Sequence, residues 1–225
     1  MTVDEAIKRA TERVTDRITH LDQRTISRLS VASAIVLVVL VVLVVALLRG
    51  QPTSGQLAGA DLGGTPAPGF SLVDQNGQTL TLQSLRGHPV ALTFMYTHCL
   101  DVCPVTAEKL HQASAQLGTQ ASAVEWIGIS VDPAGDTPAS ATQFAATHGL
   151  TGRIHFLLGS RAQLLPIWQA YYLVPSNSTG QQPQVADHTG AVYLIDKQGR
   201  ERVYLDSTFD PVKQLAPDLR ILLSS

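Results

Sequence analysis

The chain has 225 residues, with 16 basic and 18 acidic side chains and a formal net charge of -2. That length suits one ordinary domain with additions rather than two large ones. The missing basic excess excludes a typical nucleic-acid binder, and two cysteines are too few for a disulfide scaffold.

Residues 1–28 place Val3, Ile7, Ala10, Val14, Ile18 and Leu21 at helical spacing, which predicts an amphipathic tail. Then comes LSVASAIVLVVLVVLVVALL, 29–48, which is 20 residues without a charge. As a helix it would be about 30 Å long, the thickness of a bilayer's hydrocarbon, and too long for a typical signal-peptide core. It is read as a single transmembrane anchor. Lys8, Arg9, Arg13, Arg17, Arg24 and Arg28 precede it, whereas Arg86 is the next basic residue after Arg49. The positive-inside rule therefore puts the N-terminus in the cytoplasm of a bacterial cell and the rest outside its membrane.

Residues 49–69, rich in Gly, Pro, Ser and Thr, read as a linker. The remainder, 70–225, reads as one domain. Phe70–Val73 and Thr79–Leu82 flank Asn76-Gly77, a hairpin signature. Val90–Tyr96 is a continuous apolar run, as in a central strand covered on both faces. A helix is expected from Pro104 to Leu117, closed by Gly118. A strand at Val124–Val131, a helix at Ala139–His148, a strand at Ile154–Leu158 and a helix capped by Ser160 follow. Ala191–Ile195 and Arg202–Leu205 form a second hairpin, and Pro211–Leu223 a last helix. This order predicts an α/β, thioredoxin-like fold with an added N-terminal hairpin and a second hairpin, preceded by one transmembrane helix.

Cys99 and Cys103 fall where the Val90–Tyr96 strand gives way to a helix. There the helix dipole and free N–H groups favour thiolate over thiol. Three readings stay open: a structural disulfide closing a very short loop, a redox pair with three intervening residues instead of the usual two, and a soft metal site selecting copper(I). The last needs a third ligand. Of seven histidines, His20 lies before the anchor, and His111 and His148 lie on expected helices facing solvent. His155 sits in a strand, His88 in a turn, and His98 beside Cys99, where adjacent residues point apart. His188 stands before the late strand, in a loop that a thioredoxin-like fold brings to the helix terminus. It is the leading candidate. A peroxidase-like reading is disfavoured, because no Arg lies near Cys99 in sequence.

Tyr96-Thr97-His98-Cys99-Leu100-Asp101-Val102-Cys103-Pro104 resembles the motif of the Sco/SenC family, copper-delivery proteins of cytochrome c oxidase assembly. Ser130-Val131-Asp132-Pro133 with Asp136-Thr137-Pro138 resembles a second stretch of that family. Asp187-His188 with Tyr193-Leu194-Ile195-Asp196 resembles a third. The likeness covers about 66–224. It implies copper(I), with copper(II) as a second state, held by Cys99, Cys103 and His188. It also implies delivery to the dinuclear site of cytochrome c oxidase subunit II or another cuproprotein, with a copper donor or a thioredoxin-like reductant as further partners. Leu100 departs from the family's usual Pro and leaves the loop between the thiolates freer. A thiol–disulfide oxidoreductase, with Cys99 and Cys103 as its redox-active residues, is the alternative the same cysteines allow.

Overall fold

The computed structural model describes residues 5, 11, 13, 37–41, 56–173 and 190–225. Contacts divide the chain into two compact units, Met1–Ser54 and Gly55–Ser225. In the first, residues 37–41 are helical with exposed apolar side chains. Most of the expected tail and anchor lies outside the described residues, and among those described no helix is long and apolar enough to cross a membrane.

The second unit is built on an eight-stranded mixed sheet ordered β1-β8-β7-β4-β5-β6-β2-β3. Strand β4 (Val90–Met95) is buried at all six positions. It pairs in parallel with β5 (Glu125–Ser130), which pairs in parallel with β6 (Ile154–Leu158). Parallel pairing needs long crossovers, and the chain supplies helices for them. These are α1 (Val102–Leu117) between β4 and β5, and α2 (Pro138–Thr147) between β5 and β6. A third helix, α3 (Arg161–Ala170), follows β6. Both expected hairpins are present: β2 (Ser71–Asp74) with β3 (Thr79–Thr81), and β7 (Val192–Ile195) with β8 (Arg200–Leu205). The sheet separates two cores. One, under α1, α2 and the C-terminal helix, includes both cysteines. The other, under α3, includes Phe94, Trp168 and Tyr171.

Local chemistry explains where the helices begin. Thr137 accepts the Ser140 N–H and Ser140 Oγ accepts the Thr137 N–H, a reciprocal box ahead of Pro138. At α3 the Ser160 N–H and hydroxyl both donate to Gln163 Oε1. Helix α1 starts two residues earlier than Pro104 would suggest, so Cys103 lies inside its first turn. The expected C-terminal helix is divided. A wide π-type turn at Pro211–Leu215 leads into α4 (Ala216–Ser224). Pro217 has no N–H to continue an ordinary ladder across that junction.

The expected linker 49–69 contains a strand, β1 (Ala60–Pro66), paired antiparallel with β8. Its register shifts between Asp61 and Thr65, where Gly63 and Gly64 take φ of 73° and 75°, a conformation glycine adopts without penalty. Just before it, Ala58 and Gly59 donate their N–H groups to the two carboxylate oxygens of Asp218, at 2.6 and 3.0 Å. Asp218 is wholly buried. The strand is thus held by a partner 160 residues away.

Candidate metal centre

Strand β4 ends at Met95, and its backbone leads directly to the two cysteines. Cys99 is 6% exposed and Cys103 is fully buried, and both are free thiols. Helix α1 has no side-chain cap from Asp101, the residue in the capping position. Cys99 Sγ stands in for it: the Cys103 N–H donates to that sulfur at 3.3 Å. A helix N-terminus favours negative charge, so this sulfur is where a thiolate belongs.

The two thiols are driven apart in acidity. Burial alone would push the Cys99 thiol up. The Cys103 thiol, the N–H groups of Asp101 and Cys103, and the Tyr96 hydroxyl all hydrogen-bond its sulfur, and the net result is a lowered value. Cys103 goes the other way, raised by burial, by its bond to Cys99 and by the nearby Asp136 charge. Burial and the Cys99 contact push Tyr96 up to about 12. Cys99 is therefore the more acidic of the two, and its neighbour Cys103, in hydrogen-bond contact, is the less acidic. A soft cation would replace the shared proton and draw both sulfurs into its shell.

Asp136 fixes the loop ahead of Cys99, a role that the sequence alone did not reveal. It is 9% exposed. Its Oδ1 accepts the Thr97 N–H and the Thr97 hydroxyl, both at 2.8 Å, and its Oδ2 accepts the Ser130 hydroxyl at 2.5 Å. The Thr97 hydroxyl also lies 3.0 Å from Ser140 Oγ. The stretch 130–140, noted in the sequence as a strand end and helix start, thus braces the residue two positions before Cys99. The signal available was Asp136 directly preceding the capping Thr137, but its partner is 39 positions away.

The histidines divide as follows. His155 Nδ1 is 2.9 Å from Asp74 Oδ2 and His111 Nδ1 is 3.0 Å from the Gly149 carbonyl. His88 is exposed, with Nδ1 3.3 Å from the Ala123 carbonyl. His148 is half-buried and stacks on Phe144 with ring centroids 4.5 Å apart, rather than facing solvent freely. His98 is exposed. His20 and His188 lie outside the described residues. Among the described residues no group of three or more His, Cys, Asp and Glu side chains could hold a metal; Cys99 and Cys103 supply two donors. The described chain resumes at Gly190, whose φ is 99°. A Cβ there would sit 2.6 Å from Val102 Cγ1 and 3.0 Å from Thr106 Oγ1, so this residue packs on the first turns of α1. Thr93 Oγ1 donates to the Ala191 carbonyl at 2.7 Å and secures the start of β7 beside β4.

Residues 60–224 match the SCO1/SenC family model. The protein SenC of Rhodobacter capsulatus is 29% identical over 171 residues, which are 75% of this chain and 72% of that protein. A SCO2-like protein of Rickettsia prowazekii is 29% identical over 153 residues, 65% of this chain and 73% of its own. Among solved structures, Bradyrhizobium japonicum ScoI with copper bound is 31% identical. It superposes with a TM-score of 0.58 over 70% of this chain and 99% of its own.

Proposed function

The chain belongs to the SCO1/SenC family, and from that premise we propose that it is a membrane-anchored copper chaperone. It holds copper through the thiolates of Cys99 and Cys103 and the imidazole of His188. It then delivers the ion to the dinuclear copper site of cytochrome c oxidase subunit II, outside the cytoplasm. The observation that carries this reading is the sulfur pair at the α1 N-terminus, with Cys99 favouring thiolate and Cys103 in hydrogen-bond contact. Two such sulfurs match a soft, monovalent cation better than a hard one. The seat of Gly190 on Val102 supports the third ligand. His188 is two residues from that glycine, and two residues of chain span at most about 7 Å. Copper is also bound in the ScoI structure, which this chain matches over nearly that protein's whole length.

The unequal acidity of the pair favours one second reading, a thiol–disulfide oxidoreductase with Cys99 as the attacking sulfur. Thiol exchange needs an attacking thiolate and a partner, and no imidazole. His188→Ala in the full chain separates the two. On the chaperone reading, reduced wild-type protein takes up one copper(I) per chain and none once Cys99 and Cys103 are oxidised. The variant forms and breaks the disulfide normally but loses at least about 10–100-fold in copper affinity, the range already seen for weaker outer contacts. A variant that holds copper like wild type puts the oxidoreductase reading ahead.

A further inference from the structure

Val102, Thr106 and Lys109 stand at helical spacing and so share one face of α1. The first two back onto Gly190: a Cβ there would lie 2.6 Å from Val102 Cγ1 and 3.0 Å from Thr106 Oγ1. Its third neighbour, at 3.2 Å, is Ser207 Cβ, in the loop that follows β8. Gly190 is thus buried between α1 and that loop. Lys109 ties the two walls together. Its Nζ donates to the Ser207 carbonyl at 2.8 Å, 98 positions away in the chain. The same ammonium lies 4.6 Å over the centre of the buried Phe209 ring, a cation–π contact.

We infer that Lys109 is a positioning residue for the third copper ligand: by clamping Ser207 to α1 it fixes Gly190, and with it the point from which the chain reaches back to His188. The inference rests on the copper reading above and adds a residue outside the ligand set. A lysine that only solvated its helix would turn its ammonium to water; this one donates to the backbone of another element.

The loop is closed on itself, with the Thr208 N–H donating to Asp206 Oδ1 and the Phe209 N–H to the Asp206 carbonyl. Its place against α1 is therefore set by the two groups Lys109 engages, the Ser207 carbonyl and the Phe209 ring. Two residues of chain span at most about 7 Å, so a displaced Gly190 displaces the tether of the imidazole with it. The thiol pair is braced separately, through Thr97 and Asp136. Removing the clamp should weaken the contribution of the histidine and spare that of the cysteines.

Lys109→Met in the full chain tests this, since it keeps the apolar stem and removes the charged donor. In the metal-free reduced protein, amide exchange at Gly190 and Phe209 should quicken, while the rate of Cys99–Cys103 disulfide formation stays at the wild-type value. Copper(I) affinity should fall by about tenfold, the lower end of the range for contacts that orient a metal ligand. Lys109→Arg, which keeps a charged donor able to lie over Phe209, should restore both. In a His188→Ala background, adding Lys109→Met should lower affinity no further, because the ligand it serves is gone. A general loss of structure would lower affinity in both backgrounds. If Lys109→Met does not fold, as read by circular dichroism, Lys109→Gln removes the charge and shortens the reach, with the same outcomes expected. Wild-type affinity in Lys109→Met, or an equal loss with and without His188, overturns the inference alone. Equal copper affinity in wild type and His188→Ala overturns the third-ligand reading and the inference with it.

Discussion

Asp136 accepts three hydrogen bonds from two segments, and without it the buried Ser130 hydroxyl would lose its acceptor, as would the half-buried Thr97 N–H. Asp136→Ala should therefore cost roughly 1–3 kcal/mol, the penalty for stranding buried polar groups, read as a lower midpoint in chemical denaturation. The end of β2 makes a different statement. Asp74 is fully buried and its carboxylate accepts from the Asn76 and Gln78 backbones and meets His155. Burial pushes its carboxyl up, but those bonds outweigh it and hold it below the ordinary 3.8. A carboxyl lowered by folding contributes stability that is complete above its unfolded value. That stability is lost as pH falls through the folded one. Asp74→Asn should therefore be less stable than wild type at neutral pH and show a shallower loss of stability below about pH 4. Urea unfolding at a series of pH values measures both.

At the scale of elements, the point that matters most is where β7 meets α1. Gly190 combines positive φ with contact against Val102 and Thr106. Gly190→Ala should cost about 1–3 kcal/mol from strain and overpacking together. Gly77→Ala, at a similar φ with open space around it, should cost less; thermal unfolding of both variants tests the difference. The elements also show what the sequence could reveal. Ile154–Leu158 was legible to the residue, because a short apolar run bounded by turns has few alternatives. The start of α1 was not. Pro104 signals a first turn, but the actual cap is Cys99 sulfur, an acceptor outside the usual set of capping side chains. Cys99 and Cys103 were legible as a pair from spacing and position. Their unequal acidity was not, because it depends on burial and on contacts with Tyr96 and Asp136.

For the molecule as a whole, the part that eluded sequence reading is the part held by distant contacts. Strand β1 has no apolar alternation, and its glycines and prolines read as linker. It exists because β8 offers an edge and Asp218 offers a buried carboxylate to Ala58 and Gly59. The central sheet was legible because its pattern is local: six buried positions in β4 and a helix after each parallel strand. The cysteine loop is built at the C-terminal end of that sheet, between a rigid strand and a rigid helix. Function and framework are joined there by side chains from 130–140.

The chain carries two tryptophans, both fully buried and on opposite faces of the sheet. Trp126, near the start of β5, donates its indole N–H to the Ala121 carbonyl. Trp168 donates to the Ser130 carbonyl at 3.0 Å, and the Ser130 hydroxyl holds the Asp136 that holds Thr97. The protein thus contains its own optical reporter, wired to the residue two positions from Cys99 through three hydrogen-bonded links. Its emission should change when the loop takes up copper, in wild type and in Trp126→Phe alike. The signal should vanish in Trp168→Phe, so a fluorescence titration of the two variants reads loading without any added dye.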